Sequence, residues 1–341
     1  MSLRAPFPYF GGKRRAAALI WDALGDPGGY VEPFAGSAAV LLARPAFTGR
    51  RVETINDADG WLVNAWRSIQ LSPGDVAAHA YGPVSEIDYH ARLAWLHERR
   101  DESLVSWLEG DPEHHDAKAA GWWLYVMAAG IADPFGGGPW VVVDGHLVDR
   151  RHLGNAGRGV NRELPHLGNA GQGVNRELPH LGNAGRGVNR ELPHLGDAGQ
   201  GALTYYMHRL AERLARVRIT CGDWRRVVTP AAIRAKTGGD GAVGVLLDPP
   251  YSTSGDLYAH GCATGNVSAE VRRWAADAPD DLRIVLCGYD DEHDALLDHG
   301  WVVVAGRAGG GAGYATNSSA GRRERLWLSP SCRTAEQGVL L

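Results

Sequence analysis

Apolar and polar positions along the chain follow two different rhythms. Residues 29–70 pair strand-like runs with helix-like ones. "GYVEPF" from Gly29 predicts a short strand, and "SAAVLLARPAF" predicts a helix capped by Ser37. "RRVETIND", ending at Asp57, predicts a second strand. In the following "DGWLVNAWRSIQ", Trp61, Leu62, Ala65, Trp66 and Ile69 recur at helical spacing. The rhythm returns with "LTYYMHRLAERLAR" (203–216), an amphipathic helix. After it, "VRITCGDW", "AVGVLLDPP", "LRIVLCGY" and "WVVVAG" predict strands, with helical runs near 267–278 and 291–299. Strands alternating with helices predict an α/β sheet, mostly parallel and covered on both faces.

Residues 71–216 break this rhythm and read as an insertion between two parts of one α/β domain, 1–70 and 217–330, with 331–341 as a tail. The insertion carries Trp95, Trp107, Trp122 and Trp123 on helical pieces, then a tandem repeat. "HLGNAGRGVNRELP" starts at His152 and recurs at His166 and His180. A fourth, partial copy starts at His194, so repeats fill 152–201. The period of 14 residues is shorter than the usual solenoid units. Three glycines and a closing Leu-Pro in each full copy favour turn or extended backbone over helix.

Composition narrows the function classes. Apolar residues make up 44% of 341, which supports a substantial core, and the formal net charge of −4 means that a nucleic-acid partner requires a local basic surface. No apolar run approaches the ~20 residues of a membrane helix. "MSLRAPFPYFGGKRR" has no apolar signal core. Cys221, Cys262, Cys287 and Cys332 are widely spaced without a C-x-x-C, which argues against a zinc site and a disulfide framework. The expectation is a cytoplasmic chain without a metal.

Candidate chemistry concentrates in "LLDPPYSTS" (246–254). Ligands of open α/β sheets bind beyond the carboxyl ends of the strands, and Asp248 stands at such an end. Its carboxylate only accepts hydrogen bonds, and Pro249 and Pro250 add stiffly held carbonyls without competing N–H groups. Tyr251 offers a stacking face. The set suits the –NH₂ of a nucleobase; a strand-ending turn with Asp248 as a cap explains the same residues. "VEPFAGSAAVLL" places Glu32 at a strand end, with Phe34 and Gly36 opening the turn to a helix, where small residues let a ligand approach the backbone. Asp57 lies about 20 residues on, suited to a ribose hydroxyl or to capping the next helix. In "PYFGGK", Lys13 is either a partner for a ligand carboxylate or a surface lysine.

The order "PYFGGK", "EPFAGSA", "INDAD", "CGDW", "DPPY" resembles the alpha group of adenine-specific DNA methyltransferases, the Dam-like enzymes and their phage-type forms. The closing "RRERLWLSP" resembles their C-terminal strand. The resemblance covers about 1–70 and 217–330. It implies a Rossmann-like class I S-adenosylmethionine-dependent methyltransferase fold with an inserted target-recognition domain, 71–216. It also implies S-adenosylmethionine as methyl donor and double-stranded DNA as substrate, in a bacterial or phage-infected cell. By position, Tyr9, Lys13, Glu32, Phe34, Gly36, Asp57, Asp223 and Asp248 would contact the donor, with Trp224 near its adenine. Asp248, Pro249, Pro250 and Tyr251 would hold the flipped base for direct transfer. The chain departs from the family at Ala38, where a second glycine is usual, and a tighter turn is expected there.

The resemblance gives the insertion the task of selecting the DNA sequence. Arg158 and Arg162 represent the repeats, expected to meet mainly phosphates. The seventh repeat position runs Arg158, Gln172, Arg186, Gln200, types that pair with guanine and adenine, although a duplicated glycine-rich loop accounts for it equally. Arg322, Arg323 and Arg325, with Arg14 and Arg15, are candidate phosphate contacts or a solvated face. Cytosine-amine methylation, a donor- or DNA-binding protein without turnover, and an RNA substrate are the competing readings. A partner nuclease is not readable from the chain.

Overall fold

The computed structural model describes residues 3–7, 9, 12–45, 49–82, 85–99, 103–111, 113–129, 140–143, 146–149, 199–250, 264–306 and 323–333. The repeats before Gly199 lie outside the described residues, as do Tyr251 and Arg322. The fold is α/β. Strands β1 (Gly29–Glu32) and β2 (Val52–Asp57) open it, and β3 (Trp140–Val143) pairs antiparallel with β4 (His146–Asp149) in a separate small sheet. Then follow β5 (Val217–Cys221), β6 (Val243–Leu247), β7 (Leu282–Tyr289), β8 (Val302–Ala305) and β9 (Glu324–Leu328). The main sheet has seven strands in the order β5-β2-β1-β6-β7-β9-β8. Strand β9 runs antiparallel to both neighbours, and the others are parallel. This mixed, mostly parallel sheet is compatible with a Rossmann-like fold.

The alternation of side chains along the central strands produces two cores. Leu246, Val285, Cys287, Leu326 and Leu328 join the larger cluster on one face. Val243, Val245, Leu247, Leu282, Ile284, Leu286 and Trp327 build the other. Both faces of the inner strands are therefore covered, as near-continuous apolar runs require. The edge strand β8 is the exception, with Val302 and Val303 exposed.

Helices α1 (Ala17–Leu24), α2 (Ala39–Leu42) and α3 (Gly60–Leu71) belong to the first strand–helix alternation. Asp59 caps α3, its carboxylate accepting from the Trp61 and Leu62 N–H groups. Ser37 does not cap α2. The turn closes one residue later, with the Ala38 N–H on the Ala35 carbonyl at 2.7 Å, so Ala38 takes the cap position without a side-chain bond. Helices α4 (Pro73–Ala80), α5 (Glu86–Glu98), α6 (Ser103–Gly110), α7 (Ala117–Ala129) and α8 (Gly199–Leu214) come from 71–216, and α9 (Thr264–Ala276) follows β6.

The described helices of 71–216 share the larger core of the sheet. Val76, Leu93, Leu124 and Leu210 bury in the same cluster as Ile55 and Trp66. The polar face of α3 explains how. Asn64 exchanges two hydrogen bonds with the backbone of Asp116, at 3.0 and 2.8 Å, and Arg67 donates to the carbonyls of Asp111 and His114. Gln70 donates to the carbonyls of Leu214 and Val217, tying α3 to the end of α8 and the start of β5. At its other end the chain packs on beyond residue 330: the Arg333 N–H donates to the Ala23 carbonyl, and Cys332 is buried.

Glu53, on β2, is a buried carboxylate held by two arginines. Arg44 reaches it at 2.9 Å, and Arg213 of α8 grips both oxygens at 2.7 and 2.9 Å. Arg44 also pairs with Asp26, which Arg51 joins. Removing one charge from such a cluster strands the others in low dielectric. Glu53→Gln is expected to lower the unfolding free energy by about 3 kcal/mol, read as a shift of the urea midpoint.

Candidate functional site

The strand order reverses between β1 and β6: β1, β2 and β5 lead to one side, β6 and β7 to the other. The crevice beyond the carboxyl ends at such a reversal is where α/β sheets bind ligands. Glu32 ends β1, Asp57 ends β2, and Asp248 follows β6. Strand β9 runs the opposite way, so its first residue, Glu324, joins this edge opposite Tyr289 of β7.

A buried asparagine aligns the turns here. Asn56, 1% exposed, donates from its amide nitrogen to the carbonyls of Pro33 and Gly222, at 3.1 and 3.0 Å. Its amide oxygen accepts from the Thr220 hydroxyl, and its backbone carbonyl accepts from the Ala35 N–H. The segments after β1 and β5 are thereby tied to the end of β2. Sequence reasoning quoted "INDAD" for its acids and passed over this residue.

The first turn is tightly specified. Gly36 has φ of +47°, and a Cβ there would lie 2.6 Å from the Tyr9 ring. Its N–H donates to Asp57 at 2.9 Å and its carbonyl accepts from the Trp66 indole at 3.0 Å. The other oxygen of Asp57 accepts from the Asp59 N–H. Asp57 therefore fastens one turn to the next, while Asp59 is the cap. Ala38 also lies in the left-handed region, at φ +48°, fully buried. An L-residue is thus held where glycine rests without strain.

Lys13 sits in a short 3-10 turn, Lys13–Arg15, and is 6% exposed. Its ammonium lies 2.8 Å from an Asp248 oxygen and 3.1 Å from a Glu324 oxygen. The lysine is thus a partner of two protein carboxylates, neither of the roles weighed from the sequence. Glu32 is buried beneath them and accepts from the Tyr30 hydroxyl at 2.9 Å. Burial raises its carboxyl to about 8, the Tyr30 bond opposes this, and the charge of Asp248 adds to it. Burial likewise raises the Tyr289 hydroxyl, with Lys13 opposing and Glu324 and Asp248 adding. Neither Glu324 nor Tyr289 was singled out from the sequence. The period-2 pattern places them on strands, but only the antiparallel course of β9 brings Glu324 to this edge.

Phe34, half-buried, faces the Trp224 ring at 6.0 Å between centroids. Trp224 is buried, and its indole N–H has no hydrogen-bond partner among the described residues. Asp223 is about half exposed and accepts from Arg225, both backbone and guanidinium. Pro249 is buried and Pro250 half-buried.

The structure thus gathers Tyr9, Lys13, Glu32, Gly36, Asp57 and Asp248 at the switch-point edge, with Phe34, Asp223 and Trp224 on the adjoining turns. The basic candidates are less uniform. Arg323 pairs with Asp290 at 2.6 Å and lies over the Tyr289 ring. Arg325 is half-buried and donates to the Glu324 carbonyl. Arg14 is half-buried and Arg15 exposed, whereas Arg158, Arg162, Arg322 and Tyr251 lie outside the described residues. Among the described residues no group of three or more His, Cys, Asp or Glu side chains is arranged to hold a metal ion, and no helix is long and apolar enough to cross a membrane. No protein-family model matches the chain, and no curated protein matches it significantly.

Two expectations follow from this geometry. Ala38→Gly removes left-handed strain and is expected to stabilise the chain by about 1 kcal/mol, visible as a raised urea midpoint. For Glu32, the folded chain retains a proton that the unfolded chain sheds above about 4.5. Its contribution is therefore fully present below that value and lost as pH rises through about 8. Relative to Glu32→Gln, the wild type should lose roughly 1.4 kcal/mol per pH unit across that window, measured by urea titrations at several pH values.

Proposed function

We propose that this chain transfers a methyl group from S-adenosylmethionine to the exocyclic amine of adenine in DNA. One observation carries the reading: Asp248 of the Asp-Pro-Pro-Tyr sequence stands at the switch point, beside Glu32 and Lys13. The motif order set out above supplies the reaction class, and the placement gives it a plausible seat.

Several features suit the donor. The Gly36 turn leaves no room for a Cβ, and the buried Trp224 N–H lacks a partner beside the half-buried Phe34 ring. Tyr9, Glu32, Gly36 and Asp57 would hold its amino-acid and ribose parts, with Phe34, Asp223 and Trp224 around its adenine. When bound, S-adenosylmethionine supplies an electrophilic methyl group on a positively charged sulfur.

The chain's own residues would act on the target amine. Its lone pair is delocalised into the ring, which makes it a poor nucleophile. Asp248 and the Pro249 carbonyl would accept hydrogen bonds from its two N–H groups and favour a tetrahedral nitrogen; the new N–C bond replaces the methyl carbon's bond to sulfur, and one N–H proton leaves to solvent. A carboxylate has roughly four acceptor positions, so the contact with Lys13 leaves Asp248 capacity for the amine. Tyr251 would stack on the base, which leaves the duplex at a cost of a few kcal/mol. Rate enhancement then comes from positioning and preorganised acceptors.

The test is direct. The protein is incubated with labelled donor and with adenine-containing duplex, cytosine-only duplex or RNA, and the digested nucleosides are identified. Methylated adenine from duplex DNA is expected, and Asp248→Ala should reduce its formation at least about 100-fold. Label found only in cytosine, only in RNA or nowhere overturns the proposal, as does an Asp248→Ala variant working at the wild-type rate.

A further inference from the structure

Taking DNA as the partner from the methyl-transfer reading above, we propose that the face formed by α5 and α7 holds a duplex by its phosphates. Arg99 and Lys118 make the contacts, and Arg92 adds charge behind them.

The tryptophans of α5 and α7 take two roles. Trp123 is buried and edge-on to Phe7 at 4.8 Å, and Phe7 lies 6.4 Å from the Tyr9 ring. Trp95 of α5 and Trp122 of α7 are half-buried and meet edge-on at 4.9 Å. These two carry cations. The Lys118 ammonium lies 4.5 Å from the Trp122 centroid and 5.0 Å from that of Trp95. Arg99, just past α5, lies 4.0 Å over Trp95. Arg92 lies 3.8 Å over Tyr125 and 5.8 Å over Trp122. Lys118 is exposed, the Arg99 side chain is 48% exposed, and Arg92 is half-buried.

The cluster lacks an anion. Among the described residues no carboxylate pairs with Arg92 or Lys118. Arg99 has Glu98 at 3.7 Å, itself 74% exposed, and the Trp95 carbonyl at 3.4 Å. Asp88, one turn before Arg92, accepts from the Ser85 hydroxyl at 2.6 Å. One guanidinium nitrogen of Arg92 is buried without a hydrogen-bond partner. Cations elsewhere in the fold are treated otherwise: Arg44, Arg51, Arg213, Arg283 and Arg323 each meet a carboxylate.

An aromatic face attracts a cation without consuming its N–H donors. Lys118 is therefore steadied on two rings while its donors remain for an acceptor. Three cations gather in this way on a chain of net charge −4, the local basic surface that a polyanion requires. The rings already carry cations, so the fit is to phosphate rather than to a stacked base. Through Trp123 and Phe7 the same helix is fixed to the segment that carries Tyr9 and Lys13.

The experiment titrates the full chain into short labelled duplexes of different sequence at several potassium chloride concentrations. Lys118→Gln and Arg99→Gln should each reduce the slope of log K against log salt by about 0.9, and the double variant by about 1.8. Each should weaken binding by the same factor on every duplex. Lys118→Arg should keep the wild-type slope. So should Lys236→Gln, which removes an exposed lysine near the amino ends of the strands, where the Thr237 N–H meets the Gly28 carbonyl. A purely structural contact between cation and ring predicts instead a lower melting temperature at an unchanged slope.

A folded Lys118→Gln or Arg99→Gln with the wild-type slope overturns the inference. So does an equal drop in Lys236→Gln, or a drop seen with RNA of the same length but not with duplex DNA. Should Lys118→Gln unfold, Lys118→Met, which keeps an apolar stem on the rings, takes its place. A wild type that binds duplex through these residues but methylates no adenine sinks the methyl-transfer reading and leaves this inference standing. A wild type that methylates adenine, with slopes unaltered in the variants, sinks this one alone.

Discussion

The amide of Asn56 is the contact on which the rest of this edge depends. A parallel sheet delivers several chain reversals to one side, each with backbone carbonyls that the ladder no longer satisfies. One buried side chain accepts from Thr220 and donates to Pro33 and Gly222, settling two of those carbonyls together. The Gly36 turn can then be closed by Asp57 and Trp66, and Phe34 comes to rest against Trp224. Loss of that amide would leave acceptors unpaired on two separate turns, at roughly 1–3 kcal/mol for each.

Charge at the same edge is sorted by environment. Asp248 and Glu324 share an ammonium, while Glu32, deeper and without it, keeps its proton at neutral pH. Burial and pairing thus act unequally on carboxyls at the ends of adjacent strands. Divergent carboxyls of this kind recur in catalytic clefts, although structural ion pairs also produce them.

The apolar runs were enough to locate six strands of the main sheet and to predict their mostly parallel course, because period and length are local properties; β9 was expected only from the resemblance, and β3 and β4 were not foreseen. The strand-end positions of Glu32 and Asp248 were legible for the same reason, and the strand order that makes them a switch point was not. What stayed hidden depends on partners distant in sequence. Asn64 and Arg67 read as the polar side of an amphipathic helix, yet they are buried, bonded to the backbone of Asp111, His114 and Asp116. Asn56 looks unremarkable until the turns after β1 and β5 are seen to converge on it. Lys13 looks like a terminal lysine until the course of β9 supplies Glu324. Ser37 satisfied the rule for a helix cap, but the left-handed Ala38 moved the helix start by one residue.

Gln70 joins the end of α3 to the places where α8 ends and β5 begins. The chain therefore departs from the sheet and returns to it through one fixed gate. Closing a longer or shorter excursion through such a gate changes the entropy only logarithmically, by about 0.6 kcal/mol per doubling. Duplication of 14-residue units inside that excursion leaves the residues of the gate itself unchanged. Slippage during copying of the gene can vary the unit number while selection on the switch-point edge proceeds undisturbed, which separates the evolution of one part from that of the other.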